Sequence, residues 1–163
     1  MKRIHYACLA FISTIAFSGI LYAVTIVRVL DVPTYPAQQI IDWTEQTLET
    51  TITAGYHDDV SEAANVRKRF KHAAWEPMAA FLQNKLAMNK DKQAIMFHPQ
   101  PLGPPVILSE EECGEASCWR VRQSYLIPEI RNQVDFSALV ATADPSHGSP
   151  FVIQSLSIGV NEY

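Results

Sequence analysis

Tyr6 to Val27, YACLAFISTIAFSGILYAVTIV, is a run of 22 residues without a single charge. A helix of that length rises about 33 Å, enough to cross a hydrocarbon core of roughly 30 Å. Such a core offers no water to a backbone amide, so a spanning run of this length takes the helical form. Lys2 and Arg3 lie on its short side. Basic residues there hold that side in the cytoplasm and direct the rest across the membrane. A cleaved signal peptide is the rival reading. The basic start suits it, and Ala16-Phe17-Ser18 and Leu21-Tyr22-Ala23 are passable cleavage sites. The apolar run, however, exceeds the roughly 7–15 residues of a signal core. Its length favours an anchor, with membrane contact through residues 6–27. Either way, everything beyond residue 30 is exported, to the periplasm in a Gram-negative bacterium.

The chain thus divides into an anchor or signal over residues 1–30, a linker over 31–36 containing two prolines, and an exported domain over 37–163. That domain is long enough to bury one core. Setting aside Lys2, Arg3 and Arg28 leaves 10 basic against 17 acidic residues in the exported part, a charge near −7. Phosphate backbones are bound by basic residues, so nucleic acid is not an expected partner.

Within the exported part, QQIIDWTEQTLETTIT spaces Ile40, Trp43, Thr47 or Leu48, and Thr51 or Ile52 as one face of a helix ending before Gly55. A second helix follows, with Asp58 or Asp59 as its cap and Arg67, Lys68, Arg69 and Lys71 near its end, a polarity that suits the helix dipole. A third is expected from about Glu76-Pro77, with Met78, Phe81, Leu82 and Leu86 on its apolar stripe. Beyond Asn89 the period changes. QAIMFHP, PPVILSE, SCWRVRQSYLI, NQVDFSALVATA and PFVIQSLSIGV read as strands. Trp119, Val121, Tyr125 and Ile127 share one face of the third, and Arg120, Arg122 and Ser124 the other. Val134, Phe136, Ala138 and Val140 share a face of the fourth. Helices first and strands afterwards is the order of an α+β domain, here helices packed on the concave side of a curved antiparallel sheet.

Cys113 and Cys118 bracket GEAS. Structural zinc takes four ligands, and no second cysteine pair exists to supply them. A redox C-x-x-C motif has two intervening residues rather than four. Facing residues of an antiparallel hairpin lie within disulfide reach, and export supplies the oxidising setting. The expectation is a staple across a hairpin whose loop is Gly114-Glu115-Ala116-Ser117. Cys8 lies in the apolar run, and His5 and Tyr6 before it do not suit a lipoprotein site.

The other candidates have plainer explanations. His57-Asp58-Asp59 is accounted for by helix capping. Arg67, Lys68, Arg69 and Lys71 form either a solvated helix face or a patch that docks an acidic partner. Glu110–Glu112 reads as a solvated strand end. No G-x-S-x-G, H-E-x-x-H or glycine-rich phosphate loop occurs. No catalytic residue, metal or cofactor is therefore assigned. The remaining enzymatic alternative is a small-molecule enzyme or carrier using the hollow of the sheet, which would need an inward Asp, His or Tyr.

FKHAAWEPMAAFL, residues 70–82, resembles the F-T-x-x-G-W-x-x-F-x-x-A-L segment of the IcmL/DotI family of type IVB secretion proteins. Phe70, Trp75, Met78 and Leu82 fall on its apolar positions. Met78 stands for an aromatic residue, Lys71 for a threonine and Ala74 for a glycine. CWRVRQSYLI, with Trp119, resembles the family's W-x-V strand, preceded by Pro105-Val106-Ile107, and Trp43 also matches. The resemblance covers roughly residues 31–158, and its motifs are packing motifs. It implies a single-pass inner-membrane protein with a periplasmic domain of the cystatin-like, VirB-type kind. It further implies a non-enzymatic assembly component whose partners are other secretion-system subunits, in homo- or hetero-oligomers. Family members carry a longer segment before the membrane helix, whereas five residues precede the apolar run here. That difference, with the hairpin cysteines, points to a relative exported on its own: a signal-cleaved periplasmic or secreted binding module is the alternative reading.

Overall fold

The computed structural model describes residues 35–54, 60–88, 97–114 and 116–162. The apolar run, Cys8, the His57-Asp58-Asp59 cluster and its capping role all lie outside the described residues. No helix among the described residues is long and apolar enough to cross a membrane.

Helix α1 (Ala37–Ala54) buries Ile40, Thr44, Thr47, Leu48, Thr51 and Ile52. These positions recur at the spacing of one helical face. Three of them are threonines, whose hydroxyls would be costly to bury unpaired. Thr44 Oγ1 donates to the Ile40 carbonyl at 2.7 Å and Thr51 Oγ1 to the Thr47 carbonyl at 2.6 Å, so the helix satisfies them itself.

Helix α2 (Val60–Arg67) is short. It ends at Arg67, so Lys68, Arg69 and Lys71 do not continue a helical face as the sequence suggested. Instead, Arg69–Lys71 runs alongside a strand. Lys71 N–H donates to the Ile153 carbonyl at 2.8 Å, and Ile153 N–H donates to the Arg69 carbonyl at 2.9 Å. Helix α3 (His72–Met88) follows at once, four residues earlier than expected. The Lys71 carbonyl accepts from Ala74 and Trp75, both at 3.0 Å, and so launches the helix from that pinned segment. Pro77 therefore stands inside the helix rather than in its first turn. Its missing N–H leaves the Ala73 carbonyl without its usual donor. Ala73 is exposed, within reach of solvent.

The sheet is antiparallel throughout: β1 (Gln100–Pro101), β2 (Val106–Cys113), β3 (Ala116–Ile127), β4 (Asn132–Thr142) and β5 (Phe151–Glu162). β3, β4 and β5 are consecutive neighbours, and β1 and β2 both pair with the far side of β3. The strand expected over QAIMFHP is not found where it can be seen: residues 93–96 lie outside the described residues, and Phe97–Pro99 is irregular. Prolines at 99 and 101 withhold two ladder donors, which restricts pairing to two residues.

Two bulges decide which side chains face the helices. β5 has one extra residue between the Leu139–Ser155 and Val140–Ile153 pairs. Strict alternation would turn Leu156 away from the face that holds Phe151 and Ile153. The extra residue restores it, and Phe151, Ile153 and Leu156 are all buried. β2 shifts in the same way between Ile107 and Ser109, at Leu108. The helix-side face of β3 buries Trp119, Val121, Gln123, Tyr125 and Ile127, and that of β4 buries Val134, Phe136, Ala138 and Val140.

Phe151 is the hub of this core. Its ring meets Tyr35 at 4.7 Å, Trp43 at 5.5 Å and Trp119 at 6.0 Å, each edge to face. Trp43 Nε1 donates to Ser149 Oγ at 3.1 Å, and that hydroxyl donates to the Phe151 carbonyl at 3.0 Å. The same residue thus fixes α1, β3 and the entry to β5. Phe151→Ala is expected to cost about 3–5 kcal/mol in urea unfolding of the full chain. Ser155→Ala, on the exposed side of the same strand, should stay within about 0.5 kcal/mol.

Candidate functional site

Large apolar side chains fill the helix-side face of the sheet among the described residues, Tyr125, Phe136 and Phe151 foremost. Among the described residues the buried polar side chains are Thr44, Thr47, Thr51, Gln123 and Asn132. Tyr125 faces inward, and its hydroxyl donates to the Glu45 carbonyl at 3.2 Å. Burial foremost, then the charges of Glu45 and Glu49, drives its pKa further up, away from any acid–base role near neutrality. Among the described residues no group of three His, Cys, Asp or Glu is placed to hold a metal ion.

The six motif residues meet in one core. Phe70, Met78, Leu82 and Trp119 are buried in it, and Trp43 and Trp75 pack against it half-buried. The Phe70 and Trp75 rings lie 5.6 Å apart, edge to face. The Arg67 guanidinium sits over the other part of that stack, 5.4 Å from the Trp75 ring centre.

The four basic residues do not act alike. Arg69 turns inward and donates to Thr47 Oγ1 at 3.3 Å. Arg67, Lys68 and Lys71 are exposed. The Lys68 carbonyl lies 2.6 Å from His147 Nε2, which ties this segment to the loop before β5.

Cys113 and Cys118 form a disulfide with their Cα atoms 5.8 Å apart. The hairpin is tighter than the sequence suggested. Cys113 pairs with Ala116, so only Gly114 and Glu115 separate the paired ends, and Cys118 lies opposite Glu111 rather than opposite Cys113. The bond is diagonal. Gly114 takes φ +72°, the conformation that two-residue hairpin turns demand at their first position. A turn residue that adopts it without a Cβ penalty lets the ladder run two residues further than a four-residue loop would. Cys118 is wholly buried with Ala141 and Val152 on the face opposite the helices, and Cys113, Leu139 and Ala143 border them.

That opposite face is otherwise polar. Asp135 accepts from Ser124 Oγ at 2.5 Å, Gln133 Nε2 at 3.1 Å and Asn161 Nδ2 at 3.0 Å. The Ser124 hydroxyl, then Gln133, Arg122 and Asn161, hold its carboxyl below the usual range against the opposing effect of partial burial.

What sequence reasoning missed is the exposed apolar surface. Leu102, Val106, Leu108 and Val160 are large, apolar and exposed. Val106-Ile107-Leu108 was visible as an apolar run without alternation, but nothing in it reveals the bulge that turns Leu108 outward. A shallow hollow of about 320 Å³ opens beside this strand, bounded by Tyr35, Ile40, Ile107, Glu110, Ser117 and Trp119.

A model of the DotI/IcmL family, described as a type IVb secretion system inner-membrane complex component, matches residues 22–134. The chain belongs to this family. The match begins inside the apolar run and ends within β4. No curated protein matches the chain. Among solved structures, the periplasmic domain of DotI superposes with a TM-score of 0.62 at 14% identity, over 77% of this chain and 96% of that one. An IcmL-like type IV secretion system protein from Legionella pneumophila subsp. pneumophila str. Philadelphia 1 gives 0.57 at 18% identity, over 79% and 96%. A periplasmic fragment of TraM gives 0.56 at 14% identity, over 77% and 98%. At such identities the likeness is one of fold: the DotI/IcmL domain is α+β, with helices and an antiparallel sheet.

Two measurements check the site chemistry. Replacing both cysteines, Cys113→Ala with Cys118→Ala, is expected to cost about 2 kcal/mol for so short a closed loop. A change below about 0.5 kcal/mol in urea unfolding would mean that the hairpin keeps its register without the bond. For Asp135 the native pKa is depressed, so its contribution is complete above the unfolded value of about 3.9 and is lost as pH falls through the native one. The stability of Asp135→Asn should therefore fall less steeply on acidification than that of the parent chain.

Proposed function

We propose that the chain is a membrane-anchored, non-enzymatic component or accessory of a type IVB secretion apparatus that works by protein–protein assembly through its exported domain. The observation that carries this reading is the family match, which reaches from the apolar run into the sheet. The 22-residue run from Tyr6 to Val27 supports a single-pass anchor in the inner membrane with the domain over 37–163 in the periplasm. Among the described residues, Tyr125 is buried with its hydroxyl held by a backbone carbonyl, which supports a role for this face in packing. Arg67, Lys68 and Lys71, exposed beside Trp75, support a docking role for that edge of the domain, with other secretion-system subunits or further copies as partners.

The Cys113–Cys118 staple favours a second reading, a signal-cleaved module that stands alone in the periplasm or outside the cell. Intact mass of the protein extracted from membranes separates the two. A full-length mass, and co-purification with other inner-membrane subunits of the apparatus, is the expected result. A mature chain beginning near residue 19 or 24 would contradict the anchor, and purification without such subunits would contradict the assembly role.

A further inference from the structure

A hollow of about 320 Å³ lies between the start of α1 and the β2–β3 hairpin. Tyr35, Ile40, Ile107, Glu110, Ser117 and Trp119 line it. Two aromatic rings, two aliphatic side chains, a hydroxyl and a carboxylate thus converge on one space. Ligand cavities begin at about 300 Å³. A hollow at that lower limit is sized for a single long side chain rather than for a larger molecule.

Its aromatic walls are braced from behind. Phe151 meets the Tyr35 ring at 4.7 Å and the Trp119 ring at 6.0 Å, both edge to face. One buried ring therefore holds both walls. A guest finds them already ordered, which lowers the entropy lost on binding. Beside them, Ile40 is buried and Ile107 half-buried.

Sheet register places the charge. Glu110 is directly opposite Trp119, and Glu112 directly opposite Ser117. Facing residues of an antiparallel pair point to the same side of the sheet, with Cβ atoms about 4.5–5.5 Å apart. Both carboxylates therefore rise on the side of the hollow, about 7 Å from each other along β2. Glu111 points to the other side, where Ser109 Oγ donates to it at 2.8 Å and Arg120 Nε at 3.4 Å. Among the described residues, Glu110 and Glu112 form no such ion pair, and both are exposed. The N-terminal end of α1, at Ala37 on the same rim, carries about half a positive charge. Two carboxylates outweigh it, so the rim is net negative.

Aromatic faces attract cations through their quadrupole. Aliphatic side chains shelter methylene groups, and a carboxylate accepts from charged N–H donors. A cation at the end of an aliphatic stem meets all three conditions. A guanidinium meets them better than an ammonium, because it is planar, stacks on rings and presents a fork of donors at its edge.

We propose that this hollow binds an arginine side chain carried by another protein. The stem lies against Ile40 and Ile107, the guanidinium stacks against Tyr35 and Trp119, and its edge meets Glu110 in the field of Glu112. The guest is protein-borne because the hollow opens beside the unpaired edge of β2, which among the described strands pairs only with β3. An extended backbone carrying the arginine finds hydrogen-bonding groups along that edge. The site deepens, and rests on, the assembly role proposed above, since it names the group by which a partner is recognised.

The test titrates the full-length chain in nonionic micelles with N-acetyl-arginine amide and, separately, with N-acetyl-citrulline amide. The second compound has the same shape without the charge. The Trp119 indole N–H resonance reports occupancy. The arginine compound is expected to shift it saturably, and the citrulline compound to bind about tenfold or more weakly. Glu110→Gln with Glu112→Gln should weaken the arginine compound by a similar factor. Glu111→Gln, on the other side of the sheet, should leave its binding within about twofold. All three glutamates are exposed, so an unchanged urea midpoint verifies that the variants fold. The parent and the double glutamine variant are then extracted from membranes in the same detergent. Loss of a secretion subunit from the variant's co-purified set is the expected result.

Equal binding of the two compounds would overturn the proposal. So would arginine binding that survives the double glutamine substitution. Charge-dependent binding with an unchanged set of co-purified subunits would overturn the protein partner and assign the hollow to a free small guanidine. Charge-dependent binding by a parent that co-purifies with no secretion subunit would overturn the assembly role and leave guanidinium recognition standing.

Discussion

The backbone stitch between Arg69–Lys71 and Ile153 is the constraint on which the rest depends. Two hydrogen bonds, at 2.8 and 2.9 Å, hold it. They close part of an edge that would otherwise be open, and they fix the carbonyl of Lys71 that starts α3. Because α3 starts there, Phe70, Trp75, Met78 and Leu82 arrive together against β5. Because the stitch is strand-like, alternation sends Phe70 inward and leaves Lys71 outside. One local geometry thus builds the packing motif and the basic edge at once.

The sheet supplies the complementary half. Its bulges in β2 and β5 let both edge strands carry apolar side chains on more than one face. In β5 the extra residue serves the core by returning Leu156 to it. In β2 the irregularity at Leu108 serves no core contact, since Leu108 is exposed. An edge strand that shows valine and leucine to solvent is a liability unless something covers it. The acidic run Glu110–Glu112 beside it keeps the edge soluble and limits which surfaces can approach.

Much of the fold was legible from period alone. The inward faces of β3 and β4 followed from alternation, because each strand has a strand neighbour on both sides and one solvated face. The face of α1 followed from helical spacing, threonines included, since their hydroxyls are satisfied within the helix. The start of α3 was misread because Pro77 is a strong local signal for a first turn, whereas the true start is set by a partner 81 residues away at Ile153 and 82 beyond Lys71 itself. The hairpin was read two residues too loose because cysteines were assumed to face one another, and a diagonal pair reaches as well. The candidate interaction edges were the least legible. Charge runs at 67–71 and 110–112 are visible in the sequence, but only strand order and register put them at opposite ends of one row.

The account's central claim is that the stitch between Arg69–Lys71 and Ile153 seats α3, and native-state hydrogen exchange of the full-length chain in micelles tests it most directly. The Lys71 and Ile153 amides are expected to exchange together with those of β4, at the free energy of global unfolding. Exchange of either amide about a hundredfold or more faster than β4, with α3 still protected, would contradict it.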